Sequence, residues 1–132
     1  MINQEKMAQI RPLESFHMKC VRKICGISLW QKRSNSEVLA ISKMEPVAVL
    51  MRFRRLRWLG HLWRMNDDRL PKQLLFGSLP KADSVGPGRP LKGWVDYVRE
   101  DLVTLGMPYD WCRIALDREK WRSRIQKLLT HT

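Results

Sequence analysis

The segment from Pro46 to Met65 constrains this chain more than any other. No further proline and no acidic residue interrupts it, and its apolar residues recur at helical spacing. Val49, Phe53, Leu56, Gly60 and Trp63 form one stripe, and Val47, Met51, Trp58, Leu62 and Met65 form another on a different side. Pro46 suits a first helical position, where its missing N–H costs nothing. A long helix that is apolar on two sides must be sandwiched between neighbours. The rest of the sequence has to supply those neighbours.

It supplies helices. From Leu13 to about Ile24, the residues Leu13, Phe16, His17, Cys20 and Ile24 fall on one stripe, with Lys19, Arg22 and Lys23 outside it. Gly26 marks a stop, and Ser28 to Arg33 reads as a basic connector. Ser34 and Glu37 have the spacing of a capping box, which opens a short helix ending near Met44. Val38, Leu39 and Ile41 supply its apolar contacts. Leu70 to Phe76 is long enough for one more short helix. Beyond residues 77–90, Pro90 opens a helix with the stripe Leu91, Trp94, Val95, Val98, Leu102 and Leu105, closed by Gly106. The last helix starts after Asp110 as N-cap, with Tyr109 and Ile114 placed for a hydrophobic staple. Its buried face is Trp111, Ile114, Trp121, Ile125, Leu128 and Leu129.

No segment alternates like a strand and no internal repeat is visible. The sequence therefore predicts an all-α fold of five to six helices in a small irregular bundle. Gly, Pro and Ser dominate residues 77–90, which read as a loop or linker. It separates a basic helical region, residues 1–76, from a C-terminal helical pair, residues 91–132.

Composition narrows the class. The 132 residues are 44% apolar, enough for a core. The longest uninterrupted apolar run, Val47 to Met51, is far short of the roughly 18 residues of a membrane span. The first residues lack a charged-then-apolar signal pattern, and three cysteines do not make a disulfide scaffold. An intracellular protein without a membrane partner is expected, in the nucleus or cytoplasm of a eukaryotic host. The net charge is +12, and residues 1–65 carry +9 of it. That excess favours a polyanionic partner, with RNA or DNA leading.

The charge is patterned as well. Arg54, Arg57, His61 and Arg64 are spaced to share one side of the long helix, between its apolar stripes. Guanidinium groups in a row suit a sugar–phosphate backbone. The same row also fits a solvated face whose stems shield Trp and Leu. Arg113, Lys120, Arg124 and Lys127 form a weaker row on the last helix, with Asp117 among them. Four of the six tryptophans, Trp63, Trp94, Trp111 and Trp121, lie on apolar stripes and belong to the core, which leaves Trp30 and Trp58 freer.

Catalytic signals are missing. His17 and Cys20 share a helix face, but Cys25 points about 140° away from Cys20, so zinc is disfavoured. Asp67-Asp68 reads as a helix-ending turn, and Asp117-Arg118-Glu119-Lys120 as ordinary surface charge. No nucleophile triad or phosphate-binding loop can be assembled, and neither metal nor cofactor is expected.

An ordered series of residues carries a family resemblance. It starts with Leu13-Glu14-Ser15-Phe16-His17-Met18-Lys19-Cys20-Val21-Arg22-Lys23-Ile24-Cys25-Gly26-Ile27 and Ser34-Asn35-Ser36-Glu37-Val38-Leu39. The most diagnostic block is Arg54-Arg55-Leu56-Arg57-Trp58-Leu59-Gly60-His61-Leu62-Trp63-Arg64-Met65, then Arg69-Leu70-Pro71. Gly88-Arg89-Pro90, Trp94, Asp96, Asp101-Leu102, Gly106, Trp111, Ala115, Asp117-Arg118 and Trp121-Arg122 follow. In this order the series resembles the C-terminal region of non-LTR (LINE-type) retrotransposon reverse transcriptases. The resemblance implies a tail that helps an RNA-directed DNA polymerase hold RNA template or target DNA, with Arg89 added to the basic residues. The family's Tyr/Phe-x-Asp-Asp polymerase motif is absent from this chain. The expectation is thus a non-catalytic nucleic-acid-binding fragment. The alternative is a structural module that packs on the polymerase domain and touches no nucleic acid.

Overall fold

A computed structural model describes residues 4–76 and 93–129, with the backbone alone for residues 4–7. Among the described residues there are seven α-helices and no strand, so the fold is all-α. The helices are α1 (Gln4–Cys25), α2 (Asn35–Ser42), α3 (Val47–Arg64), α4 (Leu70–Phe76), α5 (Trp94–Leu105), α6 (Trp111–Leu116) and α7 (Arg118–Gln126). The chain divides into two compact units, Met1–Met51 with Leu128–Thr132, and Arg52–Lys127. The boundary falls within α3. The expected linker at 77–90 lies outside the described residues, and a single unit includes helices from both sides of it.

In the first unit α1 begins nine residues before Leu13 and runs through Pro12. Gly26, at φ +66°, ends it in the left-handed conformation. There Ile27 N–H donates to the Arg22 carbonyl at 2.9 Å, and the Ile27 side chain packs on the core of Met18, Val21 and Val38. The Arg22 guanidinium donates to the Arg33 carbonyl (2.8 Å) and Asn35 Oδ1 (3.1 Å), tying the connector to the start of α2. The capping box is formed: Glu37 N–H donates to Ser34 Oγ (3.2 Å) and Ser34 N–H to Glu37 Oε2 (2.7 Å). That backbone donor holds the Glu37 carboxyl below its ordinary range.

The buried side of α1 is not the expected stripe, of which His17 and Cys20 are half-buried and no member is fully buried. Leu13, Phe16 and Ile24 are exposed, while Met18 and Val21 are buried; Ile41 of α2 is exposed too. The reason is length. An eight-residue helix is about 12 Å long, against roughly 33 Å for α1, and it meets the Met18–Val21 side.

In the second unit the buried residues of α3 are Leu56, Leu59, Gly60 and Leu62. Leu59 lies between the two expected stripes and joins them. The apolar surface is therefore one arc about 160° wide rather than two separate sides. Trp121 of α7 fills it, its indole N–H donating to the Leu56 carbonyl at 2.9 Å in a fully buried contact. A Cβ at Gly60 would overlap Nε1 and Cδ1 of that indole, so the glycine permits the approach. Trp111 connects Trp121 (5.9 Å between centroids) to Trp63 (5.4 Å), and Phe76 meets Trp63 edge-on. Lys72 of α4 closes the C-terminal end of α3: its ammonium donates to the Trp63 and Met65 carbonyls and pairs with Asp67 at 2.7 Å.

Helix α5 starts at Trp94, with Asp96 accepting from Gly93 N–H (2.9 Å), and ends at Gly106 (φ +69°). Val98 and Leu102 of its expected stripe are buried; Pro90 and Leu91 lie outside the described residues. The expected single last helix is two helices. Asp117, in extended conformation, interrupts it and caps α7 by accepting from Glu119 and Lys120 N–H. Asp110 makes no side-chain cap bond, and Tyr109 is fully exposed, so no staple forms with Ile114. Leu128 and Leu129 lie beyond the end of α7, half-buried.

Candidate functional site

The arginines of α3 are divided between two jobs. Arg52 and Arg55 converge on Asp101 of α5, which is wholly buried. Arg52 Nε donates to Asp101 Oδ1 at 3.1 Å; Arg55 donates through Nε to Oδ2 (2.6 Å) and through Nη2 to Oδ1 (3.0 Å). Arg55 also lies 5.7 Å from the Tyr97 ring centre. A buried carboxylate held by two guanidinium groups is a fold-organising cluster. Sequence pattern did not single out this cluster, since its members are 46 and 49 positions apart.

Arg54, Arg57 and His61 lie on the other side. All three are exposed, and at about 100° per residue they fall within roughly 60° of arc. Among the described residues neither Arg54 nor Arg57 pairs with a carboxylate. Trp58 borders the strip, half-exposed, its ring centre 5.2 Å from that of His61. The site expected from sequence thus keeps three of its four members together and gains an aromatic one.

The fourth, Arg64, is turned inward. It is half-buried, and its Nη1 donates to the Ala115 carbonyl at 2.6 Å, at the end of α6. Partial burial, and then the charge of Arg118, lower its pKa. Helical spacing put Arg64 on the basic face, but its guanidinium reaches the last turn of α6, where a carbonyl without an intrahelical partner takes it.

The second row does not form a continuous face. Arg113 is on α6, while Lys120, Arg124 and Lys127 belong to α7 and its C-terminal cap, beyond the break at Asp117. All four are exposed, and Lys120 lies 3.7 Å from Asp117. Arg89 lies outside the described residues.

Among the described residues no group of three or more His, Cys, Asp or Glu is placed to hold a metal. Cys20 and Cys112 are half-buried and Cys25 exposed, all with free thiols. Burial pushes the Cys112 thiol up, and Asp110 adds to the effect. Both ring nitrogens of His17 are buried without a hydrogen-bond partner among the described residues. No helix among the described residues is long and apolar enough to cross a membrane.

No family model matches the sequence, and no solved structure matches it. The chain is similar to a transposon-derived protein of Caenorhabditis elegans, at 26% identity over 124 residues. The match covers 88% of this chain and 44% of that protein, so the chain spans less than half the length of the relative. The similarity points to a mobile-element origin.

Proposed function

We propose that this chain is a non-catalytic nucleic-acid-binding part of a mobile-element protein, of the kind found at the C-terminal end of non-LTR reverse transcriptases. It holds RNA template or target DNA along the outer face of α3. The observation that carries this reading is the contrast within one helix. Arg52 and Arg55 are neutralised by Asp101, whereas Arg54 and Arg57 stand exposed with no carboxylate partner among the described residues. Phosphate oxygens offer such guanidinium groups the bidentate acceptors that no described carboxylate does. The net charge of +12 and the similarity to a transposon-derived protein support the same reading.

The test is charge reversal of the full chain, with Arg54→Glu and Arg57→Glu combined and binding to labelled RNA followed by fluorescence anisotropy over a salt series. Each phosphate contact adds about 0.7 to 0.9 to the slope of log affinity against log salt. The double variant should lose roughly 1.4 to 1.8 from that slope and bind at least about tenfold more weakly at low salt. Equal affinity and slope for parent and variant would refute the assignment.

A second reading has its own observation. Leu13, Phe16 and Ile24 of α1 and Trp30 of the connector are exposed apolar side chains in the first unit. They suit a module that packs on the polymerase domain of a parent protein. Self-association without any RNA affinity would favour that reading, and salt-sensitive binding by a monomer would count against it.

A further inference from the structure

We infer that the strip on α3 takes unpaired nucleic acid, with Trp58 as the surface on which a base stacks; this rests on the nucleic-acid reading of the same face. Trp121 is buried and Trp63, Trp94 and Trp111 are half-buried, whereas Trp58 is 48% exposed. Its neighbours along the exposed face are two arginines and a histidine: Arg57 adjoins it, Arg54 lies one turn before it, and His61 lies one turn after it. A half-exposed indole beside guanidinium groups that have no carboxylate partner among the described residues combines the two components of single-strand recognition, a π-surface for any base and positive charge for its phosphate.

The dimensions agree. From Arg54 to His61 the helix rises about 10 Å, close to three nucleotides at about 3.4 Å each in a stacked strand. The His61 ring lies 5.2 Å from the indole, centre to centre, and is tilted 40° to it, and Trp58 keeps 48% of its surface exposed. A duplex offers the guanidinium groups its phosphates but keeps its base faces stacked inside, where the indole cannot reach them. The arginines therefore supply affinity for either form, and Trp58 supplies the preference for the unpaired one.

The experiment compares an unstructured oligouridine with an RNA duplex of equal length, using the full-length parent, Trp58→Ala, Trp58→Phe and the Arg54→Glu/Arg57→Glu double variant. The parent should bind oligouridine more tightly than duplex. Trp58→Ala should weaken oligouridine binding by about 5- to 100-fold, from the usual strength of base–aromatic stacking, and change duplex binding by less than about twofold. Trp58→Phe, which keeps a smaller ring, should recover much of the loss, a rescue that a merely structural role would not confine to the unpaired probe. If Trp58→Ala weakens both probes alike or neither, or if the parent prefers duplex, stacking is refuted while the arginine reading stands on its own charge-reversal result. If the double variant binds both probes as the parent does, the nucleic-acid reading itself fails and the inference falls with it.

Discussion

Replacing Gly60 by alanine sets two physical effects against each other. Inside an exposed helix the change would stabilise by about 1 kcal/mol, because alanine loses less backbone freedom. At this position the new methyl overlaps the pyrrole edge of Trp121, which is 2% exposed and has no room to withdraw. Overpacking of this kind costs about 1–3 kcal/mol. As the overlap displaces the indole, its N–H also leaves the Leu56 carbonyl and remains buried without a partner, another 1–3 kcal/mol or so. Subtracting the gain in propensity leaves a net loss of about 3 kcal/mol. With a urea slope near 1.5 kcal/mol/M, the unfolding midpoint followed by far-ultraviolet circular dichroism should fall by about 2 M. The Trp121→Phe background supplies the control. Without the pyrrole edge Gly60→Ala should become nearly neutral, with a coupling energy above about 1 kcal/mol. A Gly60→Ala protein at least as stable as the parent would refute the packing argument.

Two further expectations follow from charge. Asp101→Ala leaves the Arg52 and Arg55 guanidinium groups without their carboxylate; since those side chains retain 22% and 17% exposure, the cost should be about 2–3 kcal/mol in urea unfolding, below the 3–5 of a fully buried pair, and a loss under about 0.5 would contradict the cluster's role. The Asp117 carboxyl is held below its ordinary range by Lys120 N–H, then by Glu119 N–H and the Lys120 charge. Its contribution is therefore present above the ordinary aspartate value near pH 4 and disappears as pH falls through the lowered one. Helix content of the parent should exceed that of Asp117→Asn at neutral pH and converge with it in acid; a constant difference across the titration would rule out a charge component of the cap.

Local chemistry was legible in the sequence and non-local chemistry was not. The Ser34–Glu37 box and the stops at Gly26 and Gly106 follow from a few adjacent residues, and all three form. The exposure of Trp30 was legible too, because it lies on no apolar stripe, whereas Trp58 is exposed although it belongs to the second stripe of α3. The break at Asp117 was hidden. Trp111, Trp121 and Ile125 read as one stripe along the sequence, and nothing in their spacing shows that Asp117 leaves the helix. On α1 the stripe of Leu13, Phe16 and Ile24 announced apolar surface, but no periodicity states how much of it a short partner can cover. Asp101 was the least legible, since a buried carboxylate and a surface one are the same letter until its arginines are placed.

That last point bears on the site. The arginines of α3 are chemically identical, and their roles are set by register alone. Arg52 and Arg55 are three apart and reach one carboxylate; Arg54 and Arg57 are also three apart and reach none among the described residues. Like charges at this spacing destabilise a helix slightly, by a few tenths of a kcal/mol. An acidic residue at either position would stabilise the isolated fold and improve the balance of a chain already at +12. Stability therefore accounts for the inner pair and gives no reason for the outer one. A polyanion lying along the strip supplies that reason, because it turns the mutual repulsion of Arg54 and Arg57 into a shared attraction that weakens as salt rises.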